Sequence, residues 1–164
     1  MVAMPDTMHR VERYSPPITN RRIRKATEER VSWHAAHPEA IDRRLWELDQ
    51  EWDIERVLET NAAGLSLGGL ILAATVDRRW LVLPMTVAAF LLQHAIQGWC
   101  PPVEVFRRRG VRTAAEIDEE RFALKALRGD FDSLPAIGGH GHGHGPEARA
   151  QAALEAVRRG ATSI

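Results

Sequence analysis

The chain has 164 residues, with 22 basic and 22 acidic side chains and a formal net charge of zero at pH 7, so no bulk electrostatic pull toward nucleic acid is expected. A single cysteine, Cys100, excludes an intrachain disulfide framework and any CxxC metal or redox pair. The mean hydropathy looks soluble only because two hydrophilic arms dilute one apolar stretch.

Residues 1–20 carry prolines at Pro5, Pro16 and Pro17, scattered charge and no apolar periodicity, the pattern of a mobile arm. Residues 21–60 read as helices. The basic run RRIRK leads into ATEERVSWHAA, a helix-compatible segment that stops before Pro38. Beside a membrane such a basic cluster reads anionic lipid; otherwise it is a solvated helix face. Pro38 suits the first turn of the next helix. There Ile41, Leu45, Leu48 and Trp52 fall at i, i+4, i+7 and i+11, one face of an amphipathic helix. Asp42, Glu47, Asp49, Glu51, Asp53 and Glu55 make it too acidic for an anionic leaflet, where interfacial helices favour Lys and Arg. Its apolar face is therefore expected to meet another protein helix. No breaker separates it from the apolar run that follows, so one long helix is expected to continue into that run.

Residues 61–100 hold two apolar runs, Ala62 to Val76 and Trp80 to Trp99, separated only by Asp77, Arg78 and Arg79. At about 1.5 Å per helical residue the second run crosses the roughly 30 Å hydrocarbon core of a bilayer. The first reaches that length only by continuing N-terminally to Leu58 and Val57, or where the bilayer thins locally. A turn this tight forces antiparallel neighbours, so the expected fold is all-α, a transmembrane helical hairpin with amphipathic cytoplasmic helices on both sides. The alternative is a hairpin buried in a soluble all-helical domain. Three features oppose it. Leu65 to Val76 carries no charge on any face. Trp80 and Trp99 bracket the second run as interfacial anchors do. Gly64 and Gly68 form a G-x-x-x-G pair, which weakens a water-exposed helix but lets membrane helices approach closely.

Arg107, Arg108, Arg109 and Arg112 follow the second run and Arg44 and Arg56 precede the first, whereas the turn carries only Arg78 and Arg79. This bias predicts both termini in the cytoplasm and the turn outside. No signal-like apolar segment lies in the first sixty residues, so the first span is expected to target itself.

Inside the second span Gln93, Gln97 and Cys100 stand at i, i+4 and i+7 with His94 beside them. Counting outward from the turn sets Gly64 opposite Gln93 and Asn61 close to Gln97. Buried polar groups in a bilayer need partners, so this stripe reads as interhelical glue. It also reads as a polar lining for a small solute, proton or sulfur species, which requires an oligomer because two spans enclose no pore. Cys100-Pro101-Pro102 is expected to end the helix. That would leave Cys100 at a helix C-terminus, whose partial negative charge opposes thiolate formation unless Arg107 to Arg109 fold back.

Within residues 101–129 a new helix is expected from Thr113, because Thr113 to Glu116, T-A-A-E, is a capping box. Ile117, Leu124 and Leu127 give it an apolar stripe, with Glu120 and Arg121 exchanging charge alongside, and make it the natural partner of the acidic helix. Residues 130–146 form a Gly/His-rich linker in which His140, His142 and His144 recur at every second position. An extended chain would put these imidazoles on one side, suited to weakly bound Zn, Ni or Cu, although alternating glycine makes ordering the loop costly. A soft linker is the alternative. Residues 147–164 read as a last short helix and tail, opened by Pro146. No Ser/His/Asp order, phosphate-cradling Gly loop or H-E-x-x-H occurs.

From Glu55 to Val111 the chain resembles the YgaP-like inner-membrane transmembrane-domain family, small bacterial hairpins of uncertain function sometimes fused to rhodanese domains. The likeness rests on a polar lead-in, a Gly-rich first span, a tight turn and a second span ending Gly98-Trp99-Cys100-Pro101, with a downstream arginine and glycine. The ERFALKALRGDF segment is similar to the tail of a proteobacterial subgroup. The resemblance implies a bacterial inner-membrane, oligomeric protein; no rhodanese domain is expected within these residues. The expected function is a non-enzymatic membrane scaffold or oligomerisation module. Its expected partners are the lipid bilayer and further copies of itself. The alternative is a sulfur- or metal-linked transport or thiol-transfer accessory using Cys100 and the His-rich tract.

Overall fold

The computed structural model describes residues 9–132 together with Gln151, Ala153 and Leu154. The fold is all-α, with no strand among the described residues. In chain order the helices are α1 (Arg10–Tyr14), α2 (Pro17–Ala36), α3 (Ile41–Gln50), α4 (Ile54–Thr75), α5 (Val82–Gln97), α6 (Pro101–Arg108) and α7 (Ala114–Arg128). The chain divides into two compact units, the first holding residues up to 27 and 51–118, the second 28–50 and 119 onward. Helices α2 and α7 contribute to both. The His140, His142 and His144 expectation, and the closing helix over 147–164, lie outside the described residues apart from helical positions 151, 153 and 154.

The first unit contains the hairpin. Helix α4 runs 22 residues, about 33 Å at 1.5 Å per residue. Asp77 then N-caps a 3₁₀ turn, Arg78–Leu81, by accepting from the Arg79 amide at 2.8 Å, and α5 returns. Two helical segments, one ending at Thr75 and the other Arg78–Gln97, are long and apolar enough to cross a membrane, and only 11% and 6% of their apolar stretches is buried. A core helix of a soluble protein would be mostly covered, and these two are not.

The acidic helix and the first span are not continuous. Helix α3 stops at Gln50 and α4 begins anew at Ile54. Asp53 caps the new start by accepting from the Arg56 amide at 2.7 Å, and the Ile54 amide donates to the Arg112 carbonyl at 2.8 Å. Two of the four orphan donors of a helix start are thereby satisfied, which favours a break without any Gly or Pro.

The expected end of the second span also moves. Gly98, in the left-handed region at φ 76°, closes α5 and donates to the His94 carbonyl at 2.7 Å. Pro101 and Pro102 then begin α6, occupying first-turn positions where a missing amide donor costs nothing. Cys100 is therefore the N-cap residue of α6 and not the C-terminus of α5, so the dipole argument against its ionisation no longer applies.

Residues 9–20 are not a mobile arm. Helix α1 carries Val11, 2% exposed, into a cluster with Ile54, Leu58, Cys100 and Val103, and α2 already starts at Pro17. Polar side chains hold this segment where apolar periodicity is absent. Arg107, 0% exposed, donates Nε to Ser15 Oγ at 3.2 Å and Nη2 to Asn20 Oδ1 at 2.8 Å. Its remaining donors meet Glu116 Oε1 at 2.7 Å, Glu116 Oε2, and the Val111 carbonyl at 3.1 Å. The capping box forms as expected: the Thr113 amide donates to Glu116 Oε2 at 2.8 Å and the Glu116 amide to Thr113 Oγ1 at 3.2 Å. Arg112 forks onto Glu51 at 2.7 and 2.6 Å. Arg107 and Arg112, grouped in the sequence with surface charge, are thus buried framework.

In the second unit Ile41, Leu45, Leu48 and Leu124 are buried, as the stripe on each helix required. Trp52 and Leu127, assigned to the same stripes, are 45% and 46% exposed. Glu120 does not sit at the surface beside Arg121. It is fully buried and accepts from Arg30 Nη2 at 3.0 Å and Arg44 Nε at 2.8 Å. Arg121 instead reaches Asp49 at 3.1 Å, and Arg128 pairs with Asp42 and Asp130. The Arg128 guanidinium holds the Asp130 carboxyl below the usual carboxylate range. Asp42 and Asp49 of α3 are thus answered by basic residues of α7, while Glu47 pairs with Arg43 and Arg44 of its own helix.

Candidate functional site

The contact between the spans passes through Gly69, next to the G-x-x-x-G pair. A Cβ on Gly69 would sit 2.7 Å from Pro84 Cδ and 3.3 Å from Leu83 Cβ, whereas one on Gly64 or Gly68 would meet nothing within 4 Å. The hairpin therefore crosses at Gly69 and its register is shifted by roughly one helical turn from the counted one. Toward the open end Glu55 lies opposite His94, near the end of α5.

Each polar residue singled out in the spans finds a place. Asn61 turns back on its own helix, Nδ2 donating to the Val57 carbonyl at 2.7 Å, so it is no interhelical link. Thr75 and Thr86 bond their own i−4 carbonyls at 2.8 Å in the same way. Gln93 is half-buried and Gln97 exposed, so these two do not form the expected inward stripe. His94 does point inward, at 2% exposure. Its Nε2 lies 2.8 Å from Glu55 Oε2, a polar bond directly joining α4 to α5.

Glu55 has a second partner. Arg10 Nη2 donates to its Oε1 at 3.0 Å, so one carboxylate is held between a guanidinium from α1 and an imidazole from α5. Arg10 lies against Gly98, where a Cβ would come within 2.8 Å of the Arg10 backbone carbonyl carbon. Two nitrogens of this trio, Arg10 Nε and His94 Nδ1, are buried with no hydrogen-bond partner. Nothing in the sequence pointed to the pairing of Arg10 with Glu55, because 45 residues separate them.

Cys100 is 3% exposed and borders an apolar cavity of about 310 Å³. Leu58, Ala62, Phe90 and Leu91 from the two spans form its walls, with Pro101 and Pro102 at the same end as the thiol. No group of three or more His, Cys, Asp or Glu side chains suited to a metal ion forms among the described residues. Trp52, beside Arg56 at 4.4 Å from its ring centroid, and Trp99 mark the open end of the hairpin, while Trp80 marks the turn. No protein-family model, curated protein or solved structure matches the chain.

Proposed function

We propose that the protein is a bacterial inner-membrane scaffold whose two spans self-associate through the Gly64 and Gly68 face of α4, with both termini cytoplasmic. One observation carries this reading: open space surrounds both glycines while Leu65, Leu67 and Ile71 beside them are more than half exposed. In lipid the association of helices depends on close packing, which small residues permit. The resemblance of Glu55 to Val111 to the YgaP-like hairpins supports the same location and an oligomer.

Gly68→Leu is expected to abolish the oligomer cross-linked in native membranes while the hairpin itself stays folded. Gly69→Leu, whose side chain collides with Pro84, is expected to disturb the hairpin instead. An oligomer unchanged by Gly68→Leu would remove the proposed interface. For orientation, a cysteine probe at Asp77 in a Cys100-free background should react with an impermeant reagent from the periplasm, and one at Thr113 should not; labelling at Thr113 would invert the topology. The thiol-transfer reading keeps one supporting fact, the cavity beside Cys100. The thiol's 3% exposure makes the scaffold the better reading.

A further inference from the structure

We propose that α1 is a displaceable strap across the open end of the hairpin, latched by Glu55 between Arg10 and His94, and that its release uncovers Cys100 and the cavity beside it. The strap is a five-residue helix whose apolar anchor, Val11, shares a buried cluster with Cys100. It is joined to α2 through Ser15, which is extended at ψ 148° and pinned by Arg107 Nε at 3.2 Å. That geometry gives a fixed hinge on one side and a latch on the other. The strap's remaining ties run through Glu12, whose carbonyl accepts from Asn20 Nδ2 at 2.8 Å and whose carboxylate accepts from Thr113 Oγ1 at a long 3.3 Å.

Two arginines show the difference between framework and latch. Arg107 is wholly buried, and its nitrogens meet Ser15, Asn20, Glu116 and Val111. Arg10 spends one nitrogen on a carboxylate whose side chain is 34% exposed and leaves Nε buried without a partner, as His94 leaves Nδ1. A contact built only for permanence satisfies such atoms, because each orphan subtracts from the stability of the closed form. Opening the strap lets water reach all of them. The latch thus holds the strap over the apolar cluster around Val11 with a bond that is cheap to break, and this holds whether or not the protein self-associates.

Cys100, the single thiol, reports the strap directly. In native membranes holding the full chain, maleimide should alkylate wild-type Cys100 slowly, and Arg10→Gln or Glu55→Gln should each raise the rate about tenfold or more, the loss of one charge-assisted bond. The exchange Arg10→Glu with Glu55→Arg rebuilds the ion pair across the same junction, so protection should return. Arg10→Gln lies on the strap itself and keeps the test readable if Glu55→Gln fails to insert. Single variants that alkylate at the wild-type rate, or an exchange that stays as reactive as the singles, overturn the strap.

Discussion

Replacing Arg107 by leucine should cost about 3–5 kcal/mol of folding stability, the range for breaking a buried ion pair from one side. The guanidinium is 0% exposed and its partner Glu116 is 13% exposed, so the orphaned carboxylate cannot recover its hydration. Ser15 Oγ, Asn20 Oδ1 and the Val111 carbonyl lose donors in the same step, which detaches the N-terminal segment from α6. Lysine should not rescue, because one ammonium cannot reproduce the fork onto Glu116 while reaching Ser15 and Asn20. Leucine at both 107 and 116 should recover part of the loss by removing the unpaired charge, and stops short because Glu116 also closes the capping box. Thermal unfolding of the detergent-solubilised protein, followed by helix content, measures all four proteins; a single-leucine loss below about 1 kcal/mol would mean that water or another cation reaches Glu116.

Gly98→Ala should be the most damaging small substitution. At φ 76° any L residue pays about 1–2 kcal/mol for the left-handed backbone. Here the added methyl also lands 2.6 Å from Arg10 Cγ and 2.8 Å from its backbone, so α1 must move and the Arg10–Glu55 bond with it. Gly110 provides the control. Its φ is 92°, yet a Cβ there meets nothing within 4 Å, so Gly110→Ala should show the backbone cost alone. The same unfolding measurement should separate the two variants by more than about 1 kcal/mol, the scale of a forced overlap. Equal losses would show that α1 does not press on Gly98.

Arg107 also shows where sequence reading stops. Its place in the run Arg107 to Arg109 suggested a topogenic surface charge, and nothing in the run separates it from Arg108. Only its partners do, and Ser15 and Asn20 lie 92 and 87 residues away. Glu120 behaves alike: it looked like a surface neighbour of Arg121 until Arg30 and Arg44, from two other helices, converged on it.

What the sequence by itself determined is what depends on neighbours along the chain. Run length and the charged break gave the antiparallel hairpin, an i to i+3 hydroxyl and carboxylate gave the cap of α7, and the buried positions Ile41, Leu45 and Leu48 followed from helical period. Tertiary structure decided the rest. The crossing falls at Gly69 instead of Gly64 and Gly68 because Leu83 and Pro84 of the returning helix pack there, and α4 starts at Ile54 because Asp53 and the Arg112 carbonyl close that end. His94 turned inward while Gln93 and Gln97 did not, because Glu55 was there to meet it. Helix α1, which has no periodicity to announce it, exists because Val11 fills the cluster beside Cys100 and Arg10 reaches a carboxylate on another helix. Backbone propensity and hydropathy act within a turn or two of helix, whereas a buried charge is placed by whichever partner the folded chain brings within about 3 Å.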